Sequence, residues 1–572
     1  MTDLRAPFGY VRRLSMTSGK NDLRIKFELA PDAAARLRDR LAESHSEKKA
    51  ARSDTLNSIY YDTDKRSLYE AGLSLRARQN GAGHQVQLME FSNGATHYAP
   101  DRVEWEETVF TERPDFTIVS AHPYPSVLSE KVRHALKPVF KTRTKRTSHL
   151  ISRGGSAIAL TVDDHKLDAG DQSATFSEVE VALKHGEPSE LFQFVWALDE
   201  TVPLRLAVEG EGARGYRLLN NQPEEIIKTT PVHLREGMNS ADAFRVIAHS
   251  CLHQVAGNER AMCAGNADAL HQMRIGFRRL RTALSVFSSF LADSQIETIK
   301  AEIRWMTGVL SPARDLDVFL NEVVLPLRRE YREESGLQSL YRSYSAQRAK
   351  AYERARQAAN SVRFRALMLE LAAWIETGPW TMNQNEPARI ARARPVESFS
   401  VEELTRRRRK VKKGGKHLAS ITPVARHELR IRVKKLRYAA EFFAKLFPGK
   451  KRRKRELLAS LKKLQDALGD VNDVAVQAGL RGEMVAGAKG GRKTAAQKNQ
   501  HRAFAAGLII GHQKARLESL LNSAEDAFAS FKDAKAFWKG HEPAPVLSAQ
   551  PAQQIAPALP APEAPSKPSQ AA

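Results

Sequence analysis

Two segments of the chain carry the same arrangement of cationic side chains. HQMRIGFRRLRTAL sets out His271, Arg274, Arg278, Arg279 and Arg281, and HELRIRVKKLRYAA sets out His427, Arg430, Lys434, Lys435 and Arg437. Both read H-x-x-R-x-x-x-B-B-L-R, with B basic, 156 positions apart. On a helix, positions i, i+3, i+7 and i+10 fall within one stripe, so His271, Arg274, Arg278 and Arg281 project together, as do His427, Arg430, Lys434 and Arg437. Beside each stripe runs an apolar one, Met273, Phe277, Leu280 and Leu284 in the first copy and Leu429, Val433, Leu436 and Ala440 in the second. Cations stacked on one face repel by roughly several tenths of a kcal/mol per pair, a cost that an anion threaded between them relieves. The chemistry such stripes offer is the gripping of a repeating anion. A solvated basic surface is the plainer reading of any charge run, but here the duplication keeps residue type and spacing on the polar face as well as the apolar one.

Each copy is followed by an acidic, turn-like segment, LSPARDLDVF at Leu310 to Phe319 and LQDALGDVNDVAV at Leu464 to Val476. Asp315, Asp317, Asp470 and Asp473 could orient the arginines by bidentate pairing, or could cap and bridge helices. Two further basic runs, Arg406 to Lys416 and Lys450 to Arg455, extend the cationic surface and fit solubilising segments or non-specific nucleic-acid contact equally well.

The net charge of +24 is unevenly placed. Residues 1–222 hold 31 basic and 31 acidic side chains, so the entire excess follows residue 222. Such segregation favours a polyanionic partner, because bound phosphates release condensed counterions and approach is electrostatically steered. At 572 residues the chain exceeds one hydrophobic core, which stops growing near roughly 250 to 300 residues, and at least two domains are expected. Cys251 and Cys263 predict neither a disulfide framework nor a zinc site, and both are expected to be buried and reduced. No apolar leader and no stretch of about 20 apolar residues occurs, which points to a cytoplasmic protein with no membrane partner.

The elements that must carry these residues change character along the chain. From about residue 21 to 219, short alternating runs are broken by Gly, Pro, Asn and Asp: LRIKFEL, LSLRAR, HQVQLMEF, RVEWEETVF, AIALTVDD and FSEVEVAL. Period-two alternation without intervening long helices predicts an antiparallel sheet or barrel. Charges of both signs occupy the polar positions, Arg24 and Lys26, Arg76 and Arg78, Glu104 and Glu106, Glu178 and Glu180. These face either water or a lumen able to hold phosphates with arginines and a divalent cation with carboxylates. After a linker at 220–239, residues 240–380 and 400–535 read as amphipathic helices, separated by a Pro- and Asn-bearing break at about Gly378 to Ser398. Residues 1–20 form an N-terminal extension, and the Pro- and Ala-rich stretch 541–572 is expected to be disordered. The expected architecture is α+β and multidomain, an antiparallel β tunnel followed by all-α duplicated helical bundles.

Residues 240–535 resemble a CHAD domain, a family of two helical bundles related by internal duplication, through the two HxxR segments and the ARDLD-like segments. The resemblance implies a basic groove that binds inorganic polyphosphate with no cofactor. It assigns phosphate contacts to His271, Arg274, Arg278, Arg279, Arg281, Arg314, His427, Arg430, Lys434, Lys435 and Arg437, with localisation at polyphosphate granules a further expectation. Nucleic acid is the less favoured partner.

Residues 21–219 resemble the CYTH family of triphosphate tunnel metalloenzymes. The likeness rests on IYYDTDKRSLYEAGLSLRAR (Ile59 to Arg78), RVEWEE (Arg102 to Glu107), LKPVFKTRTKR (Leu136 to Arg146), SEVEVALKHG (Ser177 to Gly186) and ARGYRL (Ala213 to Leu218), taken as strand motifs in order. It implies hydrolysis of inorganic triphosphate with Mg2+ or Mn2+, phosphates held by Lys26, Arg76, Arg78, Arg102 and Arg143, and metal held by Glu104, Glu106, Asp163, Glu178 and Glu180. The chain departs from the family's opening ExExK, reading Asp22, Leu23, Arg24, Ile25, Lys26. Met89 and Ala182 replace an expected lysine and carboxylate, and Gly210 and Glu211 replace a Ser-Lys pair. A cation beside a metal site repels the metal, so weak or absent hydrolysis is expected.

Overall fold

The computed structural model describes residues 23–43, 52–80, 83–91, 101–109, 126–479 and 493–539. The expected extension at 1–20 and the tail at 541–572 lie outside these residues. Nine strands form one antiparallel sheet: β1 (Arg24–Leu29), β2 (Arg52–Asp62), β3 (Leu73–Asn80), β4 (Gly83–Phe91), β5 (Asp101–Val109), β6 (Lys137–Arg153), β7 (Ser156–Ala169), β8 (Gln172–His185) and β9 (Arg205–Leu206). Their order is β5-β4-β3-β2-β6-β7-β8-β1-β9.

Alternation sets the two faces of this sheet. In β1, Ile25, Phe27 and Leu29 are buried against the helices α1 (Pro31–Glu43) and α2 (Pro188–Asp199), while Lys26 and Glu28 point to the other side. That other side curls around helix α3 (Glu211–Leu219), which is touched by side chains of β1, β2, β3, β6, β7 and β8. Gly215 permits the seating of α3. A Cβ there would stand 2.0 Å from the Phe140 ring, so the helix backbone lies directly on β6. ARGYRL therefore lies in a helix, not a strand, and the charged side of the sheet faces a lumen rather than open water.

The second half is helical. Its principal helices are α4 (Ser240–Ala256), α5 (Ala267–Val286), α6 (Ile296–Val318), α7 (Ser335–Ala359), α8 (Val362–Thr377), α9 (Val396–Gly414), α10 (Pro423–Phe442), α11 (Lys451–Gly479) and α12 (Lys493–Asp533). The two repeated segments occupy α5 and α10, each 20 residues long, each starting four residues before its histidine. Side-chain caps fix both starts: Asn266 accepts from the amides of Asp268 and Ala269, and Thr422 accepts from Ala425, with Pro423 in the first turn. The apolar stripes read from sequence, Met273, Phe277, Leu280 and Leu284 with Leu429, Val433, Leu436 and Ala440, are all buried in one core.

Two expectations of local structure are corrected. The ARDLD segment is not a turn: it lies inside α6, which continues through Pro312. Its counterpart at Leu464 to Val476 lies within α11. The break at Gly378 to Ser398 holds a short turn of 3-10 helix and an eight-residue helix, Glu386–Ala393. Linker residues 220–239 are irregular yet anchored, with Val232 and Leu234 buried and the Ile227 carbonyl accepting from Asn258. Ion pairs join the halves, Arg205 to Glu259 at 2.9 Å, Arg260 to Glu28 at 3.0 Å and Arg365 to Asp199 at 3.4 Å. Cys251 is buried and Cys263 only half-buried; both are free thiols.

Candidate functional site

The repeated helices α5 and α10 pack side by side, and their cationic stripes meet. Burial and the charges of Arg430 and Arg278 push the Lys434 ammonium down to about 7, with Arg274 adding to the effect and Asp473 opposing it. Burial likewise lowers Arg430, whose neighbours include Asp473 and Arg278. Charges from residues 156 positions apart in sequence thus act on one another directly. Arg314 of α6 joins the same group, since burial together with Arg314, Arg278 and Arg274 pushes His271 down to about 4. His271 is therefore a neutral imidazole at pH 7, a hydrogen-bonding group and not a cation.

Few carboxylates balance this cluster. Arg274 reaches the 71% exposed Asp315 at 3.4 Å and the Ser311 hydroxyl at 3.2 Å. Arg278, Arg281, Arg314, Arg430, Lys434 and Lys435 form no ion pair among the described residues, and the Nε–H donors of Arg278 and Arg430 have no hydrogen-bond acceptor there. Arg430 lies over Gly469, where a Cβ would come into ordinary contact with its guanidinium at 3.7 Å. Arg281 and Lys435 extend the cluster, each lowered by burial, the first with Arg304 nearby and the second with Arg407, Arg281 and Lys410 nearby.

The remaining sequence candidates differ. His427 bonds Asn472 at 2.8 Å, and Arg437 is held by Glu441 at 2.6 Å and Gln465 at 3.0 Å. Arg279 is 1% exposed, donates to Gln254 at 2.9 Å and lies 5.4 Å above the Phe442 ring, which removes it from the cationic face. Eight residues past His271 is about 80° round the helix, toward the apolar stripe. The aspartates divide between their two readings. Asp315 holds Arg274, whereas Asp317 is buried and bridges to α7 through Arg348 at 2.5 Å and Tyr352 at 2.7 Å. Arg304 was not singled out from sequence, although Arg304, Thr307, Ser311 and Arg314 repeat the spacing 3, 4, 3 that marked α5 and α10. Of the basic runs, Arg406 and Arg407 are taken by Glu403, and Arg408 and Lys412 by carbonyls of Ala534 and Lys532.

In the N-terminal lumen the opposite holds, for Lys26, Arg76, Arg78, Arg146 and Arg214 all meet carboxylates. Arg76 and Arg78 of β3 both grip one Glu211 oxygen, at 3.1 and 3.0 Å, while Thr142 of β6 bonds the other. Lys26 pairs with the fully buried Glu178 at 2.5 Å, and Arg146 binds Asp163 with two bonds of 2.8 and 2.6 Å. Arg214 joins Glu28 and lies 3.6 Å from Glu178. His165 sits 3.4 Å from Glu178 and 4.0 Å from Glu211. Burial would raise Glu178, but Lys26, His165 and Arg214 hold it down at about 2.

Arg143, expected in the lumen, is exposed on the outer face, because the inward positions of β6 are Thr142, Thr144 and Arg146. Arg102, Glu104 and Glu106 lie on β5, with side chains outside the described residues. Of the expected metal ligands, Asp163 and Glu178 are already bound by cations, and no group of three or more His, Cys, Asp or Glu converges as a metal site among the described residues. No helix among them is long and apolar enough to cross a membrane.

Comparison with known proteins follows this division. The chain is 27% identical over 168 residues to an inorganic triphosphatase of Haemophilus influenzae, covering 29% of this chain and 47% of that protein. It is 25% identical over 285 residues to an uncharacterized protein of Mycobacterium tuberculosis, covering 46% and 52%. The chain thus spans about half the length of the curated relatives it matches. Among solved structures, the CHAD domain from the plant Ricinus communis is similar at 26% identity and a TM-score of 0.44, over 54% of this chain and 97% of that one. Family models match residues 24–216 as a CYTH domain and residues 246–482 as a CHAD domain. The chain thus carries a CYTH domain followed by a CHAD domain.

Proposed function

We propose that the CHAD domain binds inorganic polyphosphate along the cleft between α5 and α10. The observation that carries this reading is the set of cations there that no ion pair holds: Arg278 lowers Arg430 and Lys434 across the two helices, and none of the three forms an ion pair among the described residues. A chain with a negative charge on every phosphate would supply the missing counter-charge at several positions at once. Nucleic acid is the second reading, and one observation disfavours it. The aromatic residues of the two helices, Phe277, Tyr438 and Phe442, are all buried and unavailable for base stacking. The experiment is a titration with polyphosphates of increasing length at several salt concentrations. Affinity that rises with length and falls steeply with salt supports the reading; no binding at low salt refutes it.

Lys434 gives the cleft a pH dependence. Its pKa lies near 7 in the free protein, so above pH 7 it is mostly neutral and an arriving anion must recruit a proton. Binding raises this pKa, and affinity therefore falls as pH rises, by at most about tenfold per unit between pH 7 and 9. Lys434→Arg, which stays charged, flattens the profile in a calorimetric titration across this range. An unchanged slope in that variant would remove Lys434 from the site.

The CYTH domain is, in this reading, a weak or inactive relative of the triphosphatases. A divalent metal such as Mg2+ or Mn2+ would belong to turnover, not to polyphosphate binding.

A further inference from the structure

We propose that Glu211 is a resident anion of the CYTH domain: its carboxylate fills the position between Arg76 and Arg78 where a phosphate would be gripped, leaving the lumen closed to tripolyphosphate. The inference deepens the reading of this domain as inactive and rests on it. Glu211 is the first residue of α3, where the helix dipole favours a carboxylate, and its side chain is buried. Donors from two strands converge on it, Arg76 and Arg78 from β3 and Thr142 from β6, and the His165 ring of β7 stands 4.0 Å away. Burial alone would raise its pKa, yet Arg78, His165 and Arg76 hold it far below the usual carboxylate range, so it remains charged at any physiological pH.

The helix is not free to withdraw. Gly215 lies against Phe140, and the Tyr216 hydroxyl donates to buried Asp62 at 2.9 Å, while Asp62 also accepts from the amides of Thr63, Leu68 and Tyr69. Three further lumen cations are paired in the same manner, Lys26 by Glu178, Arg146 by Asp163 and Arg214 by Glu28. An incoming triphosphate would meet a fixed like charge in a low-dielectric interior, where repulsion is least screened. A divalent cation would find Asp163 and Glu178 already paired. The polar interior thus works as a set of structural ion pairs that seats α3 inside the sheet.

The test is a calorimetric titration of tripolyphosphate into the full chain carrying Arg278→Ala, Arg430→Ala and Lys434→Ala, so that the helical cleft does not take up the probe. With Glu211 intact, no equivalent binds, with or without Mg2+. With Glu211→Gln added, which keeps the size and the Thr142 contact, one equivalent binds, at least tenfold tighter than to the parent. One equivalent bound by the chain with Glu211 intact overturns the proposal, as does a folded Glu211→Gln chain that binds none. Should Glu211→Gln melt early, adding Arg78→Gln removes the cation left unpaired and restores the melting temperature; failure to restore it also overturns the proposal. Phosphate release from tripolyphosphate by the unaltered chain would instead sink the reading of an inactive domain.

Discussion

Replacing Arg278 and Arg430 together by alanine is expected to weaken polyphosphate binding by about a hundredfold, since a charge-assisted contact contributes roughly 1.5–3 kcal/mol and 1.4 kcal/mol is tenfold. The same substitution is expected to leave the melting temperature unchanged or slightly raised. Neither arginine forms an ion pair among the described residues, and the two repel each other, so removal relieves a like-charge cost of a few tenths of a kcal/mol that offsets the lost attraction of Asp473 for Arg430. Loss of binding with retained stability marks a site built for a ligand. Arg453→Ala with Arg455→Ala removes two exposed charges elsewhere and is expected to change affinity by about twofold. Equal losses from the two pairs would mean that bulk charge does the binding. The run Arg406 to Arg409 is a poorer control, because Arg407 neutralises buried Glu403 and its loss would act on the fold.

Glu178→Ala is expected to do the reverse, damaging the fold with no effect on the cleft. It leaves the mostly buried Lys26 without its partner, and breaking one side of a buried pair costs about 3–5 kcal/mol. For a domain of this size that corresponds to a first unfolding transition roughly 10 °C lower in calorimetry. Lys26→Met with Glu178→Leu is expected to recover most of the loss, since apolar residues of similar volume replace buried pairs at little cost. The pH dependence follows the same pair. Glu178 is depressed from about 4.5 in the unfolded chain to about 2, so its contribution is complete above pH 4.5 and disappears as pH falls toward 2. An Ala variant as stable as the parent would show that the lumen is not held by these pairs.

The contrast between the two charged interiors was only partly legible in the sequence. Matching residue types at one spacing located α5 and α10, and their helical period placed Arg274, Arg278, Arg430 and Lys434 on one stripe, because a 3.6-residue repeat encodes the face directly. Arg279 enters only through the resemblance, and its angle on the helix turns it into the core instead. The ARDLD segment reads as turn-like although it continues α6, and Arg304 of the same helix was not singled out. In β6 the error was parity. The resemblance places Arg143 in the lumen, whereas Thr142 and Thr144 face inward and Arg143 outward, and a shift of one residue exchanges the faces. Substitution of Glu211 was visible as a departure from the family's pattern. That its carboxylate meets Arg76 and Arg78 was not visible, because those contacts join residues more than 130 positions apart.

The central claim is that a polyphosphate chain, and not nucleic acid, complements the α5–α10 cleft. It is tested most directly by competition at matched salt and matched phosphate concentration, with labelled polyphosphate bound to the full chain and single-stranded RNA or duplex DNA added as competitor. Polyphosphate is expected to stay bound until the nucleic acid is in at least tenfold excess of phosphate. Displacement by equal or smaller amounts of RNA or DNA would contradict it.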